Sequence, residues 1–352
     1  MPPILRFILR RTFSFIITLL ITTAVLYATV MLTPAETRAE LYMPANARQT
    51  EAQRAHMIQL IIAKNHLNDP YPVQYYYWLS NLLHGNWGYS PTMGVDILQA
   101  LMQRTPATAE LALYSILVFI PLGLLSGVLA ASKQHKAPDK AFRFTAYLAT
   151  SLPPFILALV LLSIFYVNLH WFSPERTGTA VGLLLNSKDF HSITGLLTID
   201  GLLNGRPDVS LDALRHLVMP VVTLAFAHWA TLARVTRASM VDEMSQDYVT
   251  AAKARGMKES RILWRHVLPN AIAPALTSSL LSAASLITGV FVVEIIFNFK
   301  GISEIAVNSM QFIPDAPAAL GFTLYSVIVV LLLMFILDLV QAAVDPRLRE
   351  AL

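Results

Sequence analysis

The chain reads as an all-α polytopic membrane protein with six spanning helices, and three observations carry that reading. Hydrophobic residues fill 55% of the 352 positions and charged residues only 14%, against roughly 25% charged in soluble domains. The charges are clumped. Uncharged runs separate Arg11 from Glu36, Glu110 from Lys133, Arg143 from Glu175, Arg215 from Arg234, Arg265 from Glu294 and Asp315 from Asp338. Each run meets the ~17–25 apolar residues that a spanning helix requires. Sidedness is the third observation. With the N-terminus inside, most of the 26 Lys and Arg residues fall in cytoplasmic segments: Arg6, Arg10, Arg11, Lys133, Lys136, Lys140, Arg143, Arg234, Arg237, Lys253, Arg255, Lys258, Arg261, Arg265, Arg347 and Arg349. That is the positive-inside bias.

The spans are predicted near 10–33, 109–131, 142–169, 214–236, 271–296 and 318–343, with both termini cytoplasmic and residues 1–352 forming a single transmembrane domain. The first apolar stretch exceeds the roughly 7–15 residues of a cleaved leader core and lacks an A-x-A site, so it reads as a retained anchor. Residues 34–106 form an external segment. Within it, 48–66 has helical spacing, with Met57, Leu60 and Ile61 on one side. Tyr75, Tyr76, Tyr77 and Trp78 suit a membrane-surface belt; they either pack as part of a small cap or touch substrate.

The basic turn Lys133–Lys140 is placed inside. The third span carries Pro153-Pro154, whose freed carbonyls need neighbours or water. Such a kink either lines a pathway or bends the helix around its neighbours. Residues 171–213 make a second external loop, and 237–270 a cytoplasmic one. Glu294 and Asp338 sit near span ends; an acid within a span is a pathway candidate, and one near the interface can also reach water.

Several classes are excluded. No cysteine is present, and the nine histidines are scattered, so no metal site is predicted and no catalytic residue is assigned. There is no G-x-x-x-x-G-K-[ST] phosphate loop, no mid-membrane relay of Asp, Glu and His, and no sign of an inverted repeat. The net charge of +4 sets topology, so nucleic acid is not a partner. A passive pathway or one powered by another chain remains.

The cytoplasmic block Gln246–Asn270 separates these. On a helix, Tyr248, Ala251, Ala252 and Arg255 share a face, and alanines let that face lie close to a partner. Gly256 can take the positive φ that ends one helix and starts another. Arg261, Arg265 and His266 then ride a second short helix that ends at Pro269. By spacing alone, a solvated linker and a docking projection both stand.

The block resembles the EAA loop of binding-protein-dependent ABC importer permeases: Thr250-Ala251-Ala252 stand for E-A-A, with Thr250 in place of the acid, Gly256 for the glycine, and Leu268-Pro269 for the end. The likeness spans nearly the whole chain and is similar to the B-type subunit of the oligopeptide/dipeptide class. It includes Ile4–Arg11, Pro72–Tyr75, Leu82–Ser90, Thr105–Thr108 with Glu110-Leu111, Ser151–Phe155, Ile193–Gly205, Val293–Phe297 and Asp345–Arg349. Two departures occur: Phe297–Ser303 loses a Pro and a Gly, through Lys300 and Ser303, and Ile313–Pro317 replaces R-D-Y-P.

This resemblance implies a type I ABC importer permease in a prokaryotic inner membrane. Its implied partners are a homologous second permease, two cytoplasmic ATPase subunits and an extracytoplasmic solute-binding protein. ATP and Mg would be used by the ATPases, with no cofactor bound by this chain. The coupling contact would be Tyr248, Thr250, Ala251, Ala252, Arg255, Gly256 and Arg261. Pathway candidates are Ser151, Pro153, Thr223, His228, Ser282, Ser285, Thr288 and Glu294. Small hydroxyls inside spans also serve as packing glue. Di- and oligopeptides lead as cargo, with nickel chelates and oligosaccharides carried by similar machinery; a secondary transporter is the other class.

Overall fold

The computed structural model describes residues 3–40, 42, 51–90, 92–187, 189–311 and 315–344. Arg347, Arg349, the 345–349 match and most of 311–314 lie outside the described residues. Among the described residues five helices are long and apolar enough to cross a membrane, or six if the bent pair Ala137–Ser151 and Pro154–Asn168 is one span. Contacts group the chain into two compact units, Met1–Thr105 with Ile302–Leu339, and Pro106–Gly301 with Val340–Ala351.

In the first unit, α1 (Pro3–Val30) runs as one apolar helix, followed by α2 (Ala35–Glu40), α3 (Glu51–Lys64) and α4 (Tyr71–Leu83). The aromatic run is split by helical geometry. Tyr71, Tyr75 and Trp78 fall on one face of α4 and meet α1: Tyr71 donates to the Ala24 carbonyl at 2.5 Å, Thr23 Oγ1 and the Tyr75 hydroxyl are 2.8 Å apart, and the rings of Tyr27 and Trp78 lie 4.9 Å apart. Tyr76 and Tyr77 face outward. Arg38 is buried and donates to Gln74 Oε1 and the Leu67 carbonyl, which ties α2 to α4.

A short hairpin, β1 (Tyr89–Ser90) with β2 (Val95–Asp96), precedes the first nine residues of α5 (Ile97–Ser132). Here α14 (Ser303–Gln311) and α15 (Ala316–Val344) return. Asp315 caps α15, accepting from Ala318 N–H through Oδ1 and from the Ser90 and Thr92 hydroxyls through Oδ2. Arg104 pairs with Glu304 at 2.9 Å, and Asp338 sits 3.3 Å from Arg11. Asp338 thus has a cation partner on α1.

The second unit holds the rest of α5, then α6 (Ala137–Ser151), α7 (Pro154–Leu161) with a π-helical turn Leu162–Asn168, α8 (Thr179–Leu185), α9 (Leu197–Leu203), α10 (Pro207–Met244), α11 (Asp247–Ala254), α12 (Glu259–Ile262) with a π-helical turn Leu263–Val267, and α13 (Leu268–Ile296). The central helix is α10, with 61% of its apolar window buried. At 38 residues it is about 57 Å long, and the helix overruns the predicted span of 214–236 because its polar ends stay helical beyond the apolar run.

Two glycines on α5 set the approach of α10. A Cβ at Gly123 would lie 2.7 Å from Leu232 Cδ2, and one at Gly127 would lie 2.6 Å from Thr236 Cβ and 2.8 Å from the Ala233 carbonyl. This is small-xxx-small packing, in which missing side chains let backbones come together. On another face of α10, Ala230 packs with Ala146 and Ala149 of α6.

The third span differs from the prediction. Instead of one kinked helix over 142–169, α6 and α7 meet at 102°. The residue before a proline is pushed out of the α region, and here two such residues follow one another. Leu152 has φ −92°, ψ 115° and Pro153 φ −57°, ψ 138°. Two consecutive extended residues make a corner.

Candidate coupling site and the packing beneath it

At the end of α10, Gln246 is extended and α11 begins, with Asp247 in its first turn and Lys253 in its last, both favourable to the helix dipole. Gly256 has φ +73°. Its N–H donates to the Lys253 carbonyl at 2.9 Å and the Met257 N–H to the Ala252 carbonyl at 3.3 Å, the paired bonds of a Schellman ending. The predicted turn therefore forms at Gly256.

The second helix does not end at Pro269. Helical structure runs from Glu259 to Ile296, and the π turn at 263–267 lies just before the proline. The Leu268 N–H reaches back to the Leu263 carbonyl. One inserted residue lets the chain pass a position that lacks an N–H without breaking.

An apolar cluster supports this corner: Val249 and Ala252 of α11, Ile262 of α12, Val267, and Ala271 of α13 pack with Val128 and Ala131 of α5 and Met240 of α10. This corrects the predicted face. Ala252 points into the cluster, with 9% of its surface open, because positions 249 and 252 are one turn apart and both apolar. Tyr248, Thr250, Ala251, Arg255, Gly256 and Arg261 remain exposed. The Tyr248 hydroxyl donates to Glu243 at 2.9 Å. Desolvation, reinforced by Glu243, holds its pKa above the ordinary phenol value, so it is a neutral donor at physiological pH.

The eight pathway candidates separate into three buried, four exposed and one half-buried. Thr223 is 1% exposed and donates to the Met219 carbonyl, and Ser282 is buried. Glu294 is 1% exposed and accepts from the Thr108 hydroxyl, with Gly301 leaving room for its carboxylate. These three are packed inside the unit, so Glu294 does not reach water as its position near the interface suggested. Ser151, Pro153, Ser285 and Thr288 are exposed; Ser285 and Thr288 donate to carbonyls one turn back, at 3.0 and 2.6 Å. His228 is half-buried, 5.6 Å from the Phe119 ring.

Sequence reasoning missed the polar clasps. Glu110, 1% exposed, accepts from Arg176 Nη2 at 2.7 Å and from Thr198 N–H and hydroxyl at 2.8 and 2.7 Å. Fully buried Asp200 accepts from Thr194 N–H and hydroxyl and from Gly195 N–H. Burial raises its pKa, but these donors outweigh burial and hold it below the usual carboxylate value. Asp139 on α6 is fully buried and receives both Nε and Nη2 of Arg237 on α10. In the altered loop, Phe297 and Phe299 are fully buried while Lys300 is exposed.

A helical bundle with small-residue crossings, clasped loops and long apolar helices defines a polytopic membrane protein. The chain belongs to the family of binding-protein-dependent transport system inner membrane components, which matches residues 119–350, and the companion N-terminal family matches 4–112. It is thus a permease subunit of an ABC importer. It is similar to the oligopeptide transport system permease protein AppB of Bacillus subtilis (strain 168), 32% identical over 97% of this chain and 98% of that protein. It is also similar to the probable D,D-dipeptide transport system permease protein DdpB of Escherichia coli (strain K12), 32% identical over 80% and 81%. Among solved structures, an inward-facing MetNI methionine ABC transporter matches at 14% identity over 71% of this chain and 96% of that one, with a TM-score of 0.47.

Proposed function

We propose that this permease forms half of a pathway for di- or oligopeptides delivered by an extracytoplasmic binding protein, with a homologous permease as the other half. ATP is hydrolysed by two cytoplasmic partner subunits, and this chain supplies no nucleotide site. The peptide relatives support the cargo. The observation that carries the mechanism is the corner at Gly256: an exposed strip of Tyr248, Thr250, Ala251, Arg255, Gly256 and Arg261, backed by an apolar cluster shared among α5, α10, α11, α12 and α13. A partner pressing on that strip moves the helices behind it, because packed interfaces switch between discrete arrangements.

Two neighbouring alanines test this. In the assembled importer reconstituted into vesicles, Ala251→Trp should leave assembly and thermal stability unchanged while ATP-driven uptake of a labelled tripeptide falls at least tenfold. Ala252→Trp should instead destabilise the subunit. Normal uptake by Ala251→Trp would remove the coupling assignment.

A further inference from the structure

A cleft of about 590 Å³ between α6 and α10 is lined by Lys140, Phe142, Arg143, Phe144, Tyr147, Arg234 and Arg237. It shares no lining residue with the coupling strip or with the eight pathway candidates. Its charges are unbalanced. Arg237 is neutralised by Asp139, which is fully buried and also accepts the His135 N–H. Lys140, Arg143 and Arg234 are exposed, and their side chains make no hydrogen bond or ion pair of 4 Å or less among the described residues. The lining therefore holds four cations and no carboxylate, with the single buried Asp139 acting on both Arg237 and Arg143.

The arrangement is graded along α6. From Lys140 to Tyr147 the helix rises about 10 Å, and over that distance cations give way to rings. Phe144 is 70% and Tyr147 69% exposed, a costly display in water but suited to the boundary between headgroups and acyl chains. The cleft floor is held in place: Phe142 meets Trp229 edge to face at 6.2 Å, and the Trp229 indole donates to Ser126 at 3.0 Å. The basic turn just before α6 puts this end of the span at the cytoplasmic surface by the same charge bias that orients the chain.

We propose that the cleft binds the phosphate headgroup of an anionic phospholipid from the cytoplasmic leaflet. Lys140, Arg143 and Arg234 donate to the phosphate oxygens, the guanidinium forks matching them bidentately. Phe144 and Tyr147 lie along the upper acyl chains. A zwitterionic lipid offers the same phosphate, but its ammonium group meets the surplus positive charge, so the site selects net-negative lipid. Arg237 lies one turn before Met240 in the cluster beneath α11, so an occupied cleft braces the part of α10 that supports the coupling strip.

The test uses the whole assembled importer, extracted in detergent, washed free of lipid and offered phosphatidylglycerol, phosphatidylcholine or inorganic phosphate. Native mass spectrometry reads retained lipid. Each surface cation is worth about a fivefold change in affinity. The Arg143→Gln/Arg234→Gln double variant should therefore lose about 25-fold in phosphatidylglycerol binding with phosphatidylcholine unchanged, and Lys140→Gln alone about fivefold. Lys140→Gln, on an exposed first turn, decides the matter if the double variant does not assemble. Equal retention of both lipids, or variants that bind phosphatidylglycerol like wild type, would overturn the proposal. So would displacement of the lipid by equimolar inorganic phosphate, which marks a soluble-anion site. A Tyr147→Cys complex that a bilayer-soluble maleimide cannot label would also overturn it, since a protein partner would then cover the cleft.

Discussion

The two ends of the second unit are held by different forces. At the end bearing Glu110, Asp200 and Glu294, buried carboxylates collect donors from segments far apart in sequence: Glu110 from Arg176 and Thr198, Glu294 from Thr108. At the other end, alanines, valines and Met240 pack under α11, with buried Asp139 paired to the part-buried Arg237 nearby. The contrast teaches where motion is permitted. A carboxylate clasp is all or nothing, since removing one donor leaves an unpaired buried charge. A small-residue apolar seam makes no directional bonds, so rearranging it strands no charge, which suits the coupling role proposed for that end.

Four perturbations sharpen or break this contrast. The largest effect is expected from Glu110→Ala, which strands Arg176, only 21% exposed, and the Thr198 donors. A loss of about 3 kcal/mol should show as a clear drop in the melting temperature of the purified complex. A stability unchanged by this variant would mean that the clasp does not hold that end together.

Next is Gly127→Leu, whose side chain has no room against Thr236 and the Ala233 carbonyl. Overpacking of this kind costs about 1–3 kcal/mol, read as the same melting shift and as weaker retention of the α5–α10 crossing in disulfide cross-linking. A neutral result would show that the seam is looser than its geometry.

Gly256→Val is smaller. Nothing lies within 4 Å of a Cβ there, so the cost comes only from a φ of +73°, about 1–2 kcal/mol. It should raise amide exchange at 253–258 and lower transport while leaving the outer clasps protected. Exchange rising equally at 194–200 would break the distinction between the ends.

The smallest effect is a pH dependence. The Asp200 pKa is lowered on folding, so its contribution is full above the ordinary carboxylate value near 3.8 and fades as pH falls through the lower, folded value. Proteolysis near residues 192–200 should accelerate only in that acid range, and Asp200→Asn should remove the dependence. Acceleration near pH 6 would point to another group.

Much of this was legible one residue at a time. Charge-free runs located the long helices because crossing a bilayer is a requirement on consecutive residues. Gly256 announced its turn because a positive φ favours glycine. What the sequence hid was pairing across distance. Asp139 and Arg237 read as two members of a basic cytoplasmic surface, and Glu110, Thr198 and Asp200 read only as matches to a family. Gly123 and Gly127, one turn apart on an apolar helix, were a visible signal of close helix packing that spacing alone could have raised.

Sequence alone thus determined the membrane class, the number of apolar runs, their orientation bias and the place where α11 must stop, since each depends on local composition or backbone sterics. Only the tertiary structure decided that α6 and α7 meet at a corner, that Ala252 is buried while Ala251 is open, and that Glu294 is clasped by Thr108. Those outcomes turn on which faces meet. A helix with apolar residues on several sides does not specify its neighbour until volumes, donors and charges from distant segments are satisfied together.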